Sequence, residues 1–445
     1  MKTKMKYYTT AIRAFAPFCV SSLMLIIGNC VVAQTTFPQQ NMQNASNYSN
    51  NKGGSSVLIM QNGTTVFEEY HNGADSSTAT HLYSATKFFW ASAAALALQQ
   101  GLITNYDELV SNTITEWQNT TVHPGKNNIK IKHLLQLSSG LSQDVDQIQG
   151  DDSTVSNIYQ YVVDSLDLKA PPGAYFQYGP SHYYAFGVLL ERKLHNAGRM
   201  INPLQYLQSE IFDSIGFQYQ TWVHDSAGNP HIPNGCYVTA RNWAKYGQFM
   251  LQKGLWGTSQ IIDSNLVEDM YVATGPNPGH GYFCWLNNTG GQGAAPAQSA
   301  PPGSPGGFIY YNGFTEIIGG LGAGKNRMYL IPSLNAVVIR QTLMGDDTFS
   351  DHVFLSYLLD SLLTSVNFVS QERDLVSVYP NPTGSQINIK SHEAVSDVII
   401  YTSSGEKVLT TDASKSIDIS YMPNGFYIIS VQTESGTYIS KIIKQ

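Results

Sequence analysis

The chain has 445 residues, of which 42% are hydrophobic, 11% aromatic and only 13% charged, with a formal net charge of −7. That length points to two or three units, and the apolar content is ample for a sizeable core. The acidic balance, with no basic stripe interleaved with aromatics, excludes a nucleic-acid partner.

The amino terminus carries Lys2, Lys4, Lys6 and Arg13, then an apolar stretch from Phe15 through Ile27, then Val31-Val32-Ala33 before Gln34. This is the pattern of a secretory signal peptide over residues 1–33, cleaved after Ala33. Cys30 raises the alternative of a lipoprotein signal, which Ile27-Gly28-Asn29 fits poorly. No other stretch is long and apolar enough for a stable transmembrane segment. Cys19 and Cys30 leave with the signal, so Cys236 and Cys284 remain, one pair that permits a single disulfide. Residues 34–54 are rich in Gln, Asn, Ser and Gly and read as a flexible leader.

Ordered structure is expected from residue 55. Val57-Leu58-Ile59-Met60 and Thr65-Val66-Phe67 flank Asn62-Gly63, a strong hairpin signal. His81 to Gly101 follows, reading HLYSATKFFWASAAALALQQG. After Lys87 there is no charged residue until Asp107, so the predicted helix is apolar on nearly every face and buried all round. Residues three apart in a helix share a face, which brings the heads of Ser84 and Lys87 together. Desolvation lowers a lysine pKa and frees an amine to take the proton of a serine hydroxyl, while the helix amino end offers N–H groups to a developing oxyanion. Ser-x-x-Lys also occurs at Ser49/Lys52, in a polar tract, and at Ser404/Lys407, in a turn; only Ser84 combines it with a buried helix. By spacing alone, Ser84 as a helix cap with Lys87 snorkelling to water fits equally well.

Further elements are expected at Ile129–Leu137, which leads into the Ser138-Ser139-Gly140 loop, and at Tyr159–Leu168, a helix ending before Pro171-Pro172-Gly173. Tyr175–Lys193 reads as a turn opening an apolar helix with Tyr178 at its mouth, and residues 235–252 as a helix capped by Thr239. A Gly/Pro/Ala/Ser loop runs from Asn287 to Gly307. Strands at Phe314–Ile318, Met328–Ile331 and Ala336–Thr342 and a helix from Phe349 to Leu363 close the unit. Strands at both ends with helices between make an α+β fold, an antiparallel sheet packed by helices. From residue 373 to 445 the pattern alternates, with turns at Pro380-Asn381-Pro382 and Pro423-Asn424-Gly425, as in a small all-β sandwich. Gly319 to Lys325 imitates a phosphate-binding loop, but Asn326 replaces the required Ser or Thr. His182, His224 and His231 lack ligand spacing and read as polar walls of a cleft, and Trp222 and Trp243 as packing, so neither metal nor cofactor is expected.

Four stretches together resemble the serine β-lactamase and penicillin-binding-protein superfamily, nearest its class C-like esterase, amidase and 6-aminohexanoate-dimer hydrolase branch. They are LYSATKFF, IKIKHLLQLSSGL, FQYGPSHYYAFGVLLE and GAGKNRMYLIPSLNAVVIR. The resemblance implies a β-lactamase/transpeptidase-like domain over residues 55–372, with Ser84 as nucleophile, Lys87 as general base and Tyr178 as base or acid. Among 27 tyrosines, composition alone would not single out Tyr178. Pro180 stands where the family has Asn or Ser, leaving Ser181, and His182 beside it, as the expected substrate contacts. Gly322-Ala323-Gly324 stands in place of Lys-Thr-Gly, implying a backbone oxyanion donor and no side chain to grip a β-lactam carboxylate. Both departures favour a small-molecule or peptide-like ester or amide substrate. The alternatives are a D,D-peptidase or β-lactamase acting on peptidoglycan-like substrates, or an inactive binding protein displayed on the surface. VSVYPNPTGSQINIK to the closing Lys-Ile-Ile-Lys resembles the type IX secretion sorting domain, over residues 373–445. That implies export through the periplasm and partnership with the type IX machinery, ending secreted or at the cell surface.

Overall fold

The computed structural model describes residues 36–143, 148, 155–288, 309–310, 314–343, 345, 348–367, 376–391, 394–402, 407–412, 416–433 and 436–445. The expected signal peptide and most of the Asn287–Gly307 loop lie outside them. The first region runs α1 (Gln39–Asn51), β1 (Gly54–Gln61), β2 (Thr64–Tyr70), β3 (Ala79–His81), α2 (Phe89–Gln99), α3 (Ile131–Leu135), α4 (Ile158–Asp164) and α5 (Ser181–Asn196). It continues through α6 (Pro203–Leu207), α7 (Asp213–Ile215), β4 (Thr221–Trp222), β5 (Cys236–Thr239), α8 (Ala240–Leu251), the small hairpin β6 (Leu255–Trp256) and β7 (Ser259–Gln260), and α9 (Ser264–Met270). Last come β8 (Trp285–Leu286), β9 (Ile318–Leu321), β10 (Arg327–Ile331), β11 (Ala336–Thr342) and α10 (Asp351–Asn367).

The central sheet has six antiparallel strands in the order β2-β1-β11-β10-β9-β8. Asn62 and Gly63 both take positive φ, 54° and 75°, as a tight two-residue hairpin requires. Val57, Leu58 and Ile59 are all buried, because β1 is covered on both faces, which is why the strand reads as an apolar run and not as an alternation. β11 alternates between layers. Val337 meets α8 at Gly247, while Arg340, one strand face over, reaches Ser49 of α1 and lies 4.0 Å over the Phe349 ring.

The leader expected over residues 34–54 is not a leader. Gln39–Asn51 is helical, and Met42, Ala45, Ser46 and Ser49 are buried. Their spacing is that of one helix face, but its letters are mostly small and polar, so composition hid the stripe. Small residues serve close packing here: a Cβ on Gly54 would stand 2.1 Å from Ser49 Oγ. The polar atoms are matched, with Ser46 Oγ 2.9 Å from His71 Nε2 and Ser49 Oγ accepting from Arg340 Nε at 3.1 Å. Cys236 and Cys284 are buried and unpaired with each other, so the disulfide that their number permits is not formed.

The second region holds β12 (Val376–Tyr379), β13 (Gln386–Ser391), β14 (Val395–Thr402), β15 (Lys407–Thr411), β16 (Ser416–Asp418), β17 (Gly425–Thr433) and β18 (Gly436–Lys444). These form two antiparallel sheets, β12-β13-β16 and β15-β14-β17-β18, around Ile387, Val398, Ile400, Ile429 and Val431. Among the described residues, no helix is long and apolar enough to cross a membrane.

Candidate active site

Ser84 and Lys87 lie on a single 3₁₀ segment, Tyr83–Phe88, which leads directly into α2. A 3₁₀ turn holds three residues, so positions i and i+3 eclipse and the two heads meet more squarely than on an α-helix. Lys87 Nζ stands 2.8 Å from Ser84 Oγ and donates to the Pro233 carbonyl at 3.1 Å. Phe89 to Ala97 are buried, as the apolar run predicts, and Trp90 ties α2 to the same loop by donating to the Ile232 carbonyl at 2.5 Å. Tyr83, immediately before the serine, takes φ 48°, a conformation that side chains other than glycine rarely adopt and that is common beside functional groups.

Burial pushes the Lys87 pKa down from its usual 10.5 to about 7. The aromatic rings of Tyr178 and Tyr183 lie 5.2 and 5.3 Å from its Nζ. Tyr178 comes in just ahead of α5 and hydrogen-bonds Ser84, and burial pushes its own pKa up to about 12 against that bond. Its hydroxyl is therefore protonated at neutral pH. Trp285 stacks on Tyr178 at 5.5 Å, and the cavity at Ser84 is walled by Lys87, Tyr183, His280, Trp285 and the strand Gly319–Leu321.

The other expected contacts fall elsewhere. Ser181 is buried, with its Oγ donating to the Ser142 carbonyl at 2.5 Å and its N–H donating to Gln143 Oε1 at 3.1 Å. The first turn of a helix leaves N–H groups without acceptors, and Gln143 supplies one; the serine is committed to that junction and not to a substrate. His182 is also buried. A carbonyl only accepts, so Nε2–H donates to Gln177 O at 2.8 Å and Nδ1 accepts from Ser139 Oγ at 2.8 Å. Its role is to fasten the segment that carries Tyr178. His224 hydrogen-bonds the Trp222 carbonyl at 2.8 Å, and His231 is buried beneath Trp222, whose Nε1 donates to the His231 carbonyl at 3.0 Å; neither is on the cavity wall.

Gly322-Ala323-Gly324 is not the strand that faces Ser84. Gly322 N–H is spent on the Asn326 carbonyl at 2.9 Å, and a Cβ on Gly322 would stand 2.1 Å from the Leu82 carbonyl. Counting back along the register, Gly322 opposite Asn326 is a hydrogen-bonded pair, so Leu321 opposite Arg327 is not, and Leu321 turns its N–H away from β10. On that side β8 reaches only Trp285, opposite Gly319. The backbone donor aimed at the open end of the sheet is thus Leu321, one residue before the expected triplet. Arg327 steadies this end by donating to the Gly322 carbonyl at 2.6 Å while paired with Asp351 at 2.5 Å, both buried. Asn326 Nδ2 donates to the His81 carbonyl at 3.2 Å, joining the strand to the serine segment.

Helices on both faces of an antiparallel sheet, with a Ser-x-x-Lys step set against its open end, define a hydrolase of the β-lactamase fold. The chain belongs to the beta-lactamase family, whose model matches residues 39–326. Residues 377–445 match the secretion system C-terminal sorting domain, which directs the chain through type IX secretion to the cell surface or beyond. A relative from Alkalihalophilus pseudofirmus, itself uncharacterized, is 23% identical over 344 residues, covering 69% of this chain and 88% of its own. Among solved structures, a provisionally assigned 6-aminohexanoate-dimer hydrolase from Bacillus anthracis aligns with a TM-score of 0.57 at 17% identity, covering 73% of this chain and 83% of that one. EstCE1, a hydrolase with promiscuous acyltransferase activity, aligns with a TM-score of 0.51 at 18% identity, covering 73% and 97%. At such identities the structural likeness is one of fold.

Proposed function

We propose that the protein is an exported serine hydrolase that cleaves ester or amide bonds of modest-sized, uncharged substrates through an acyl-enzyme on Ser84. The observation that carries this reading is the 2.8 Å contact between Ser84 Oγ and a buried Lys87 whose pKa lies near 7. Ser84 Oγ attacks the carbonyl carbon while its proton passes to the neutral Lys87 amine. The oxyanion is received by Leu321 N–H and by Ser84 N–H, which lies in a first helical turn without an intrahelical acceptor. The leaving oxygen or nitrogen takes a proton through Tyr178, which Lys87 replenishes, and the bond to the carbonyl carbon breaks. Water then releases the acyl group and returns the proton to Ser84.

Glycines 319 and 320 give the strand no cation for a substrate carboxylate, and Phe88, Tyr183, Phe283, Trp285 and Leu321 make much of the remaining wall apolar, which favours esters and amides over β-lactams. Short-chain chromogenic ester and a fluorophosphonate probe, applied to mature protein and to Ser84→Ala, test the reading. Turnover with label on Ser84 alone, both lost in the variant, is the expected result. Folded protein in which neither reagent reaches Ser84 supports a surface-displayed binding protein instead.

A further inference from the structure

The rings that wall the cavity at Ser84 are themselves wedged in place. Trp285 is 7% exposed, and its ring packs against Tyr178, at 5.5 Å between centroids, His280, at 5.0 Å, and Phe176, at 6.0 Å. Its backbone is held too, paired with Gly319 of β9 and bridged to His280. Of the other wall residues, Tyr183 stacks on Phe283 at 4.2 Å, and both are buried. A Cβ on Gly320 would stand 3.2 Å from Phe88 Cδ1, so β9 already approaches the serine segment closely. Rings in such packing keep their positions, because turning one drives its atoms into its neighbours.

What they enclose is small. The closed part of the cavity that Ser84, Lys87 and Trp285 line is about the size of one water molecule, which is also about the space that a methyl group fills. Hydrolysis at Ser84 divides the substrate in two. The leaving alcohol or amine departs while the acyl group is still bonded to Ser84 Oγ, so it needs a path to solvent, and a closed pocket among buried rings offers none. The acyl group leaves last, by the side that the departed group has vacated. The closed pocket therefore suits the acyl substituent, and the leaving group faces the open side.

We propose that Trp285 is a specificity-determining residue that limits the acyl group to acetyl size, making the substrates acetyl esters or acetyl amides whose alcohol or amine can be much larger; this rests on the Ser84 acyl-enzyme reading. The limit sits beside the ring whose hydroxyl hydrogen-bonds Ser84, since Trp285 and Tyr178 are a stacked pair. An acyl chain two carbons longer has to push the indole against Phe176 and His280 or lift its own carbonyl carbon away from Ser84.

The test uses two substrate series on mature full-length protein. p-Nitrophenyl acetate, butyrate and hexanoate share a leaving group and lengthen the acyl chain; ethyl, butyl and hexyl acetate, followed by acid release, share the acyl group and lengthen the alcohol. Wild-type kcat/KM is expected to fall at least about 10-fold from p-nitrophenyl acetate to the butyrate, and to fall no more than about threefold along the alkyl acetates. In Trp285→Ala the butyrate-to-acetate ratio is expected to rise at least about 10-fold, and in Trp285→Phe, which keeps a smaller ring, by an intermediate factor. Fluorophosphonate labelling of Ser84 shows in each variant that the site is folded, and Trp285→Phe carries the comparison if Trp285→Ala is not. Wild-type protein that takes butyrate and hexanoate as readily as acetate overturns the proposal, as does a ratio that folded variants leave unchanged or a steep fall along the alcohol series instead. Wild-type protein that neither labels nor turns over any ester overturns the Ser84 reading itself, and this inference with it.

Discussion

Replacing Lys87 by Met keeps the length of the side chain and removes the titrating amine, and it separates two consequences of burial. A depression from 10.5 to about 7 corresponds to about 5 kcal/mol of penalty on the ammonium form. Between pH 7 and pH 10.5 the unfolded chain holds a proton on this lysine that the folded chain lacks, so wild-type stability rises with pH by about 1.4 kcal/mol per unit. Below pH 7 both states hold it, and this contribution no longer varies. Met contributes no such slope. The stability of wild type minus that of Lys87→Met should therefore climb by roughly 3 kcal/mol from pH 7 to pH 9.5, other titrating groups cancelling in the difference. All 6 tryptophans lie between Trp90 and Trp285, so urea unfolding followed by tryptophan fluorescence reports the hydrolase region alone. Activity must follow the same proton: wild-type kcat/KM is expected to rise with pH to a plateau above about pH 7, and Lys87→Met to lose at least about 100-fold. A stability difference that stays flat from pH 7 to pH 9.5 would refute the depressed lysine, and with it the reason for assigning the base to Lys87.

Tyr178→Phe removes the hydroxyl shared with Ser84 and should lower kcat by about 10- to 100-fold while leaving the unfolding midpoint within a few degrees of wild type. Gly322→Ala drives a methyl against the Leu82 carbonyl and should cost more than about 2 kcal/mol in the same urea titration, along with most turnover. Asp351→Asn leaves the Arg327 charge buried without its counter-ion and should destabilise by about 3–5 kcal/mol in that assay. A chain ending at Asn367 should hydrolyse the test ester at the wild-type rate but stay off the cell surface, measured by fractionation; normal display would remove the tail from the sorting role.

The features that were legible in the sequence are those whose signal is local. Asn62-Gly63 fixes a turn by backbone conformation alone, Ala336–Thr342 is a strand because its residues are buried on both faces, and the Lys87-to-Asp107 gap marks a helix with no solvent side. Failures came where tertiary contact overrides residue type. Met42, Ala45, Ser46 and Ser49 form a core stripe out of polar letters, and Ser181 looks like a substrate contact until Ser142 and Gln143 claim it. Ile318–Leu321 contains two glycines and so has little strand signal, which is why the strand that lines the Ser84 cavity is not marked by its residue types. Trp285 opens a strand of only two residues, too short to carry a period, with His280 in the turn before it, and their place beside Ser84 comes from the pairing of β8 with β9.

The strand order also sets when the site comes into being. β1 pairs with β11, the serine segment is tied to Asn326, and α1 rests on α10, so the first hundred residues have no finished surface to fold against until residue 342 and beyond have been delivered. In a chain that crosses a membrane amino end first, Ser84 arrives early and its environment late. Until then Lys87 is an ordinary solvated lysine, protonated at neutral pH. The burial that depresses Lys87 is thus completed last, by the later strands of the same sheet.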